Sequence, residues 1–298
     1  MRPFSKRSES SSSSDSPGSR ASHPAAKRRA GDPPVVAAGE AERLSENLAS
    51  EDPEIVSAAV RALKRRLPVL TGADYRRAVE AVCSLFYIDT ADKPDLEEAL
   101  EAATRLLADQ GLRTIPILLA QMQTSDIKSH IYLARTLGRM GPIALPKLRD
   151  LLATSEDPYA RAFALYAIGK MTCPQVARAI PEALGGLMHP DKEVRDTAAR
   201  TLGKIAQVVP AGRLTPRRRR EMFEGLLRAA RDPQAPVRAK AMRSLGKLAA
   251  GGLLNRAQKG ALGEAARAAL GESDEYGWDN SYIVRREAKE TLQALEGH

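Results

Sequence analysis

Aromatic residues are scarce in this sequence. Phe, Trp and Tyr together make up 4% of the 298 residues, and the apolar positions are filled mainly by Ala and Leu. Strands favour aromatic and β-branched residues, whereas Ala, Leu, Arg, Glu and Lys favour helices. The composition therefore predicts an all-α fold.

Cysteines and long apolar runs are also lacking. The two cysteines, Cys83 and Cys173, lie far apart and have no metal-type spacing, which argues against a disulfide framework and fits a reducing compartment. No stretch approaches the roughly 18 to 20 consecutive apolar residues of a membrane span. No apolar core follows the first basic residues, as it would in a secretory signal. These absences predict a cytoplasmic protein without membrane association.

The first 36 residues differ from the rest of the chain. They are rich in Ser, Pro and basic residues and show no apolar periodicity. Such a segment cannot bury enough surface to offset the entropy of ordering it. We therefore predict a disordered tail over residues 1–36, followed by a folded region over residues 37–298.

Internal repetition dominates the folded region. The segment DPYARAFALYAIGK, from Asp157 to Lys170, recurs without a gap as DKEVRDTAARTLGK from Asp191 to Lys204. Asp followed by Pro is typical of a helix start, and apolar residues at helical spacing follow it. Further copies begin at Asp126, Asp232, Asp52 and Ser281.

A second helical stretch separates consecutive copies, so the repeating unit is a helix pair. Seven such units are predicted, beginning near residues 38, 72, 111, 142, 174, 214 and 254. The second helix of unit two, near residues 95–108, lacks the pattern. One pair cannot bury its own apolar faces, and stacking of neighbouring pairs makes a continuous core.

The pattern D-P-x-x-x-R-x-x-A-x-x-x-L-G-K resembles the HEAT repeat, especially the short bacterial form named after the phycobilisome lyases. The resemblance covers about 260 residues and implies an alpha-alpha superhelix. It says little about function, since proteins of this class include scaffolds, bilin lyase subunits, alkylpurine DNA glycosylases and the iron enzyme deoxyhypusine hydroxylase. Function must therefore come from the sites.

One column of arginines predicts a structural ladder. Each Arg lies on the helix face that also carries the inward apolar residues, and a buried guanidinium needs carboxylate or carbonyl partners. An Asp four residues earlier, or one in the next unit, could supply that partner. This arrangement resembles the stabilising ladder of Asp and Arg residues in HEAT repeats. The predicted ladder residues are Asp157, Arg161, Asp191, Arg195, Arg238 and Arg285, with His130 in the same register.

A second column, the basic stripe, lies on the opposite helix face, because Lys170 follows Arg161 by nine residues at about 100° each. No Asp or Glu occupies this column in the units that end at Arg139, Lys170, Lys204 and Lys247. The resemblance implies that this face lines the concave surface. We predict an anion-binding groove; a solvated face is the alternative. The basic stripe comprises Arg61, Arg65, Tyr132, Arg135, Arg139, Tyr166, Lys170, Arg200, Lys204, Lys240, Arg243 and Lys247.

Catalytic signatures are lacking. The sequence has four histidines and no His-Glu dipeptide, the iron-binding motif of the hydroxylases, nor does it contain a phosphate loop or zinc signature. We therefore predict a scaffold or adaptor that uses no cofactor or metal and binds an acidic protein or peptide. A nucleic-acid-binding protein, including a DNA glycosylase, and a bilin-lyase-like subunit remain alternatives. The four side chains from Arg217 to Arg220 point in different directions around their helix and form no compact patch. We therefore interpret this run as solvated.

Overall fold

The computed structural model describes residues 38–272 and 278–296, and within those ranges there are helices and no β-strand. The predicted tail, residues 1–36, lies outside them. The helices pair as α1 (Ala38–Leu48) with α2 (Pro53–Arg66), α3 (Gly72–Ser84) with α4 (Glu97–Asp109), α5 (Ile115–Thr124) with α6 (Ile127–Met140), α7 (Leu145–Thr154) with α8 (Pro158–Ile168), α9 (Ile180–Gly186) with α10 (Lys192–Val208), α11 (Pro216–Ala229) with α12 (Ala235–Ala250), and α13 (Arg256–Leu270) with α14 (Tyr282–Glu296).

The prediction of an all-α solenoid of seven helix pairs is confirmed. Unit two has its second helix, α4, although the repeat pattern is missing there. Each pair packs internally, and each second helix packs on the second helix of the next unit, from α2 through to α14. The buried residues form one continuous apolar core that includes Ala164, Leu165 and Ile168. Stacking of neighbours thus supplies the core that no single pair could form.

Aspartates start the second helices, as the repeat pattern predicts. The Asp157 carboxylate accepts hydrogen bonds from the N–H groups of Tyr159 and Ala160 at 3.0 and 3.2 Å. The Asp191 carboxylate accepts from Glu193 and Val194 in the same way. Each cap satisfies N–H groups that have no partner within the helix.

The glycine near the end of the repeat allows close contact between successive second helices. A Cβ atom added to Gly203 of α10 would lie 2.7 Å from Cβ of Ser244 in α12. Ser244 donates its hydroxyl hydrogen to the Ala199 carbonyl of α10 at 2.8 Å. Thr201 makes the equivalent bond to Leu165 of α8, also at 2.8 Å. This close approach fixes the spacing of the helices that carry the basic stripe.

Candidate partner-binding surface

The basic stripe runs along the second helices, and its cations reach solvent. Arg61, Arg65, Arg139 and Arg200 are exposed, and the other cations of the stripe are half-buried. Neighbouring units pair the members of the stripe unequally. Its N-terminal part, its centre and its C-terminal part differ in the carboxylates that face them.

A carboxylate that the repeat pattern does not show neutralises part of the N-terminal end. Glu101 of α4 accepts from Arg135 at 3.0 Å and also from Arg139. Sequence analysis found no acid in the column because Glu101 belongs to the one second helix without the pattern. This pairing removes Arg135 and Arg139 from the set of free cations.

At the C-terminal end of the basic stripe, Arg243 pairs with a buried carboxylate. Glu287 of α14, whose side chain is 1% exposed, accepts from Arg243 at 2.8 Å and from Arg286 at 2.8 Å. Burial alone would raise the pKa of this carboxyl, but the hydrogen bonds from the two arginines hold its pKa below the usual range. Arg243 therefore has a structural partner.

The centre of the basic stripe carries cations without counter-ions. We define the stripe centre as Lys170, Arg200, Lys204 and Lys247. Among the described residues, no carboxylate oxygen lies within 4.0 Å of their charged nitrogens, although most arginines elsewhere in the repeats have such a partner or a carbonyl. Since a solvated surface usually mixes charges of both signs, these four residues are the strongest candidates for a binding site.

Tyr166 holds two of these cations together. The ammonium of Lys170 lies 4.8 Å from the centre of the Tyr166 ring, and the Arg200 guanidinium carbon lies 5.2 Å from it. Both distances are within the range of cation–π attraction. A small pocket is lined by Tyr166, Gly169, Lys170, Arg200, Thr201 and Lys204.

Lys247 is affected both by burial and by the positive charges around it. Partial burial, and after it repulsion by Lys204, Arg243 and Arg200, together lower its pKa from the usual 10.5 to about 8. Glu287 opposes the shift only weakly, because its charge is already shared with two arginines. An anion brought here would relieve this repulsion.

Tyr132 does not belong to the accessible surface that sequence analysis assigned to it. Its side chain is 8% exposed, and its ring stacks on Phe86 with centroids 5.3 Å apart. Phe86 follows α3, so a neighbouring unit covers the tyrosine. Helical spacing within α6 could not show this contact.

A hollow at the N-terminal end adds residues that sequence analysis missed. Its basic side chains come from α2, α4 and α6, and its floor includes the buried Val60 and Leu106. The basic members are Arg61, Lys64, Arg105 and Arg139, and one acid, Asp109, lies among them. Lys64 and Arg105 fall outside the repeat columns, so only the packing of α2 against α4 shows that they border the stripe.

The predicted ladder joins the fifth unit to the sixth and the sixth to the seventh. Arg195 donates from Nε and Nη2 to the two oxygens of Asp232 at 2.7 and 3.1 Å, and from Nη1 to the carbonyls of His189 and Pro190. Arg238 pairs likewise with Asp279 at 2.6 and 2.8 Å. The acid thus comes from the next unit, while Asp157 and Asp191 cap their own helices.

The ends of the ladder depart from this arrangement. Arg161 donates to the Ser155 carbonyl at 2.8 Å, and Arg285 donates to the Asp279 carbonyl. Arg285 also stacks over the Trp278 ring at 4.2 Å. His130, at the arginine position of α6, is buried against Tyr159 and contacts its hydroxyl through Nδ1.

The arginine run Arg217 to Arg220, in the first turns of α11, contacts residues close to it in sequence. Arg217 and Arg218 donate to Glu221 at 2.8 and 2.9 Å, and Arg220 lies 3.9 Å from Glu224. Arg219 donates to the Leu214 carbonyl at 3.0 Å. These contacts within one helix and its entry make the run a suitable control surface.

Comparison with protein families identifies the repeats. A family model described as HEAT repeats matches residues 145–221, from α7 into α11. This part of the chain consists of HEAT repeats. Comparison with curated proteins found no match.

Several solved structures are similar to this chain at low identity. An engineered protein is 18% identical, with a TM-score of 0.49 over 87% of this chain and 97% of its own. The complex of CpcE and CpcF of phycocyanin lyase from Nostoc sp. PCC7120 is 20% identical, with a TM-score of 0.49 over 61% of this chain and 99% of its own. A designed armadillo repeat protein in complex with the peptide (KR)4 is 18% identical, with a TM-score of 0.40 over 86% of this chain and 99% of its own. Likenesses at this level say nothing of what the HEAT repeats here bind.

Metal-binding groups and membrane-spanning helices are both absent from the described residues. They contain no group of three or more His, Cys, Asp or Glu side chains placed to hold a metal ion. No helix in the described ranges has both the length and the apolar character of a membrane span.

Proposed function

We propose that this HEAT-repeat protein is a scaffold or adaptor that binds an anionic protein segment along the basic stripe. The observation that carries the proposal is the stripe centre, where four cations share one surface without a carboxylate partner in the described structure. Charges of one sign on one surface attract an oppositely charged partner and raise its association rate.

A protein segment fits the surface better than single-stranded nucleic acid does. Binding of single strands uses exposed aromatic faces on which bases stack. Tyr132 is buried, and Tyr166 already has Lys170 and Arg200 against its ring. The hollow at the N-terminal end instead offers the half-buried side chains of Ala102 and Ala108 between cations, which suits a segment that carries both acidic and aliphatic residues.

Charge reversal at the stripe centre tests this function. The triple variant Lys170→Glu, Arg200→Glu and Lys204→Glu should bind a fluorescent 20-residue peptide of Glu, Ala and Leu at least about 100-fold more weakly than the wild type, because three attractive contacts become repulsive. Fluorescence anisotropy measures the change. The helical content by circular dichroism should stay the same, because these side chains reach solvent.

The control reverses Arg217, Arg218 and Arg220, which changes the net charge equally on a surface outside the stripe. Its peptide affinity should fall by less than about threefold through the weaker long-range field alone. Equal losses in the two variants would contradict a specific groove. If duplex DNA binds more tightly than the peptide, and its affinity falls with salt at a log–log slope of about 0.9 per phosphate neutralised, the partner is nucleic acid and the proposal is wrong.

A further inference from the structure

We propose that the stripe centre binds a phosphate monoester carried by the bound protein segment. This inference rests on the proposed function, since it gives the chemistry of one group within the same anionic partner. The partner would place a phosphorylated side chain at the stripe centre, among residues of α10 and α12 and the segment after α8.

The geometry supports a compact group. Cations from two successive units converge on one small pocket, where Lys170 follows α8 and Arg200 and Lys204 belong to α10. Tyr166 forms the wall between two of them. Lys247 of α12 lies close enough to Lys204 and Arg200 to be repelled by both. Three cations therefore line the pocket, and the charge of Lys247 acts on two of them from the next second helix.

The backbone keeps Lys170 close to that position. The residue follows the end of α8, and its Cβ would lie 2.6 Å from a Cβ added to Gly138 of α6, so the chain passes directly over this glycine. Lys170 donates its backbone N–H to the Ala167 carbonyl at 3.1 Å. The base of this side chain is therefore fixed, and only its ammonium end is free to follow a ligand.

The positive charge at the stripe centre exceeds the negative charge that one side-chain carboxylate would bring. A side-chain carboxylate brings one negative charge and two oxygens, and successive carboxylates on a segment are spread along it. A phosphate monoester brings a charge of about −1.5 to −2 and three acceptor oxygens at one point. Charge-assisted bonds from arginine and lysine to phosphate are among the stronger hydrogen bonds in proteins. The concentration of unpaired cations around one pocket matches the second kind of ligand.

On either side of the stripe centre, carboxylates of this chain already pair with arginines. Glu101 lies against Arg135 and Arg139, and Glu287 lies against Arg243 and Arg286. In these places two arginines suffice for one carboxylate. The stripe centre has four cations, and no carboxylate oxygen of the described residues lies within 4.0 Å of their charged nitrogens. The same ratio of two cations to one carboxylate leaves the centre short of about two negative charges.

The test compares three peptides that differ at one position. Each has 15 residues of Glu, Ala and Gly, with phosphoserine, serine or glutamate in the middle. Isothermal titration of the full chain should show the phosphoserine peptide binding about tenfold or more tightly than the other two. In Lys170→Gln, Lys204→Gln this advantage should fall to less than about twofold, because the removed donors serve the phosphate.

The matched control is Lys147→Gln, Arg220→Gln, which removes the same charge from side chains that are 62% and 66% exposed on first helices. It should keep the full preference for phosphoserine. Inorganic phosphate at 10 mM, a free source of the same chemistry, should compete only weakly, since it lacks the rest of the segment.

The outcomes separate this inference from the proposed function. Equal affinity for all three peptides, lost in the triple charge reversal, would overturn phosphate recognition and leave the acidic-segment function standing. A preference for phosphoserine that survives Lys170→Gln, Lys204→Gln would place the phosphate elsewhere and also overturn the inference. Binding of none of the peptides would overturn both proposals.

Discussion

Replacing Gly203 by alanine is expected to lower the free energy of unfolding by about 2 to 3 kcal/mol. The new Cβ would lie 2.7 Å from Ser244 Cβ and 3.0 Å from Ser244 Cα, so α10 and α12 must move apart. Backbone cannot yield as the end of a flexible side chain can. The shift would also weaken the hydrogen bond from Ser244 to the Ala199 carbonyl.

The matched control is Gly260→Ala on α13, where an added Cβ meets nothing within 4 Å. Alanine is favoured over glycine inside a helix by about 1 kcal/mol, so this variant should be as stable as the wild type or more so. Urea denaturation followed by circular dichroism measures both. Similar stability of the two variants would mean that successive second helices do not need the close contact at Gly203.

Replacing Arg195 by alanine is expected to destabilise the protein by about 2 to 3 kcal/mol. The side chains of Arg195 and Asp232 are 14% and 7% exposed, and the variant leaves the carboxylate without its two strongest donors. Lys204→Ala, on the opposite face of the same helix and without an ion pair in the described structure, should cost under about 0.5 kcal/mol. Equal losses in a denaturant titration would contradict the assignment of the two helix faces.

The same pair predicts a dependence on pH. Burial alone would raise the pKa of Asp232, but hydrogen bonds from Arg195 and the Gln234 N–H hold its pKa below the usual value of 3.8. A carboxyl with a depressed folded-state pKa contributes stability above its unfolded-state value, and this contribution is lost as the pH falls through the folded-state pKa. The difference between wild type and Arg195→Ala should therefore shrink when unfolding is measured at a pH below about 4.

The sequence was sufficient for features that repeat. Aspartate at a helix start, apolar residues at helical spacing and the Leu-Gly-Lys ending recur, so the helix pairs and the solenoid could be predicted from single-chain periodicity. The second helix of unit two was predicted near residues 95–108 without the pattern, and α4 lies there. The repeated features are local, or they are contacts between equivalent positions of neighbouring units.

What could not be predicted depends on residues that do not repeat. Glu101 neutralises Arg135 and Arg139 from a helix without the pattern, and Phe86 buries Tyr132 from a segment after α3. Asp232 and Asp279 complete the ladder from the following unit, which sequence spacing left open between two aspartates. Periodicity gives the face of a helix, but the opposing side chain comes from tertiary packing.

The pKa of Lys247 offers the most direct test of the central claim, which is that the unpaired cations at the stripe centre bind an anion. Titration of ¹³C-labelled lysines by NMR, with the Lys247 signal assigned through Lys247→Arg, gives its pKa in the free and peptide-bound protein. The free value should be about 8, against 10.5 for an ordinary lysine, because burial and its basic neighbours disfavour the charged form. Binding of the acidic peptide should raise it by about one unit or more, since a nearby negative charge favours the ammonium. Peptide affinity should correspondingly fall as the pH rises through 8 and the free protein loses this charge. A pKa near 10.5 in the free protein, unchanged by the peptide, would contradict the account.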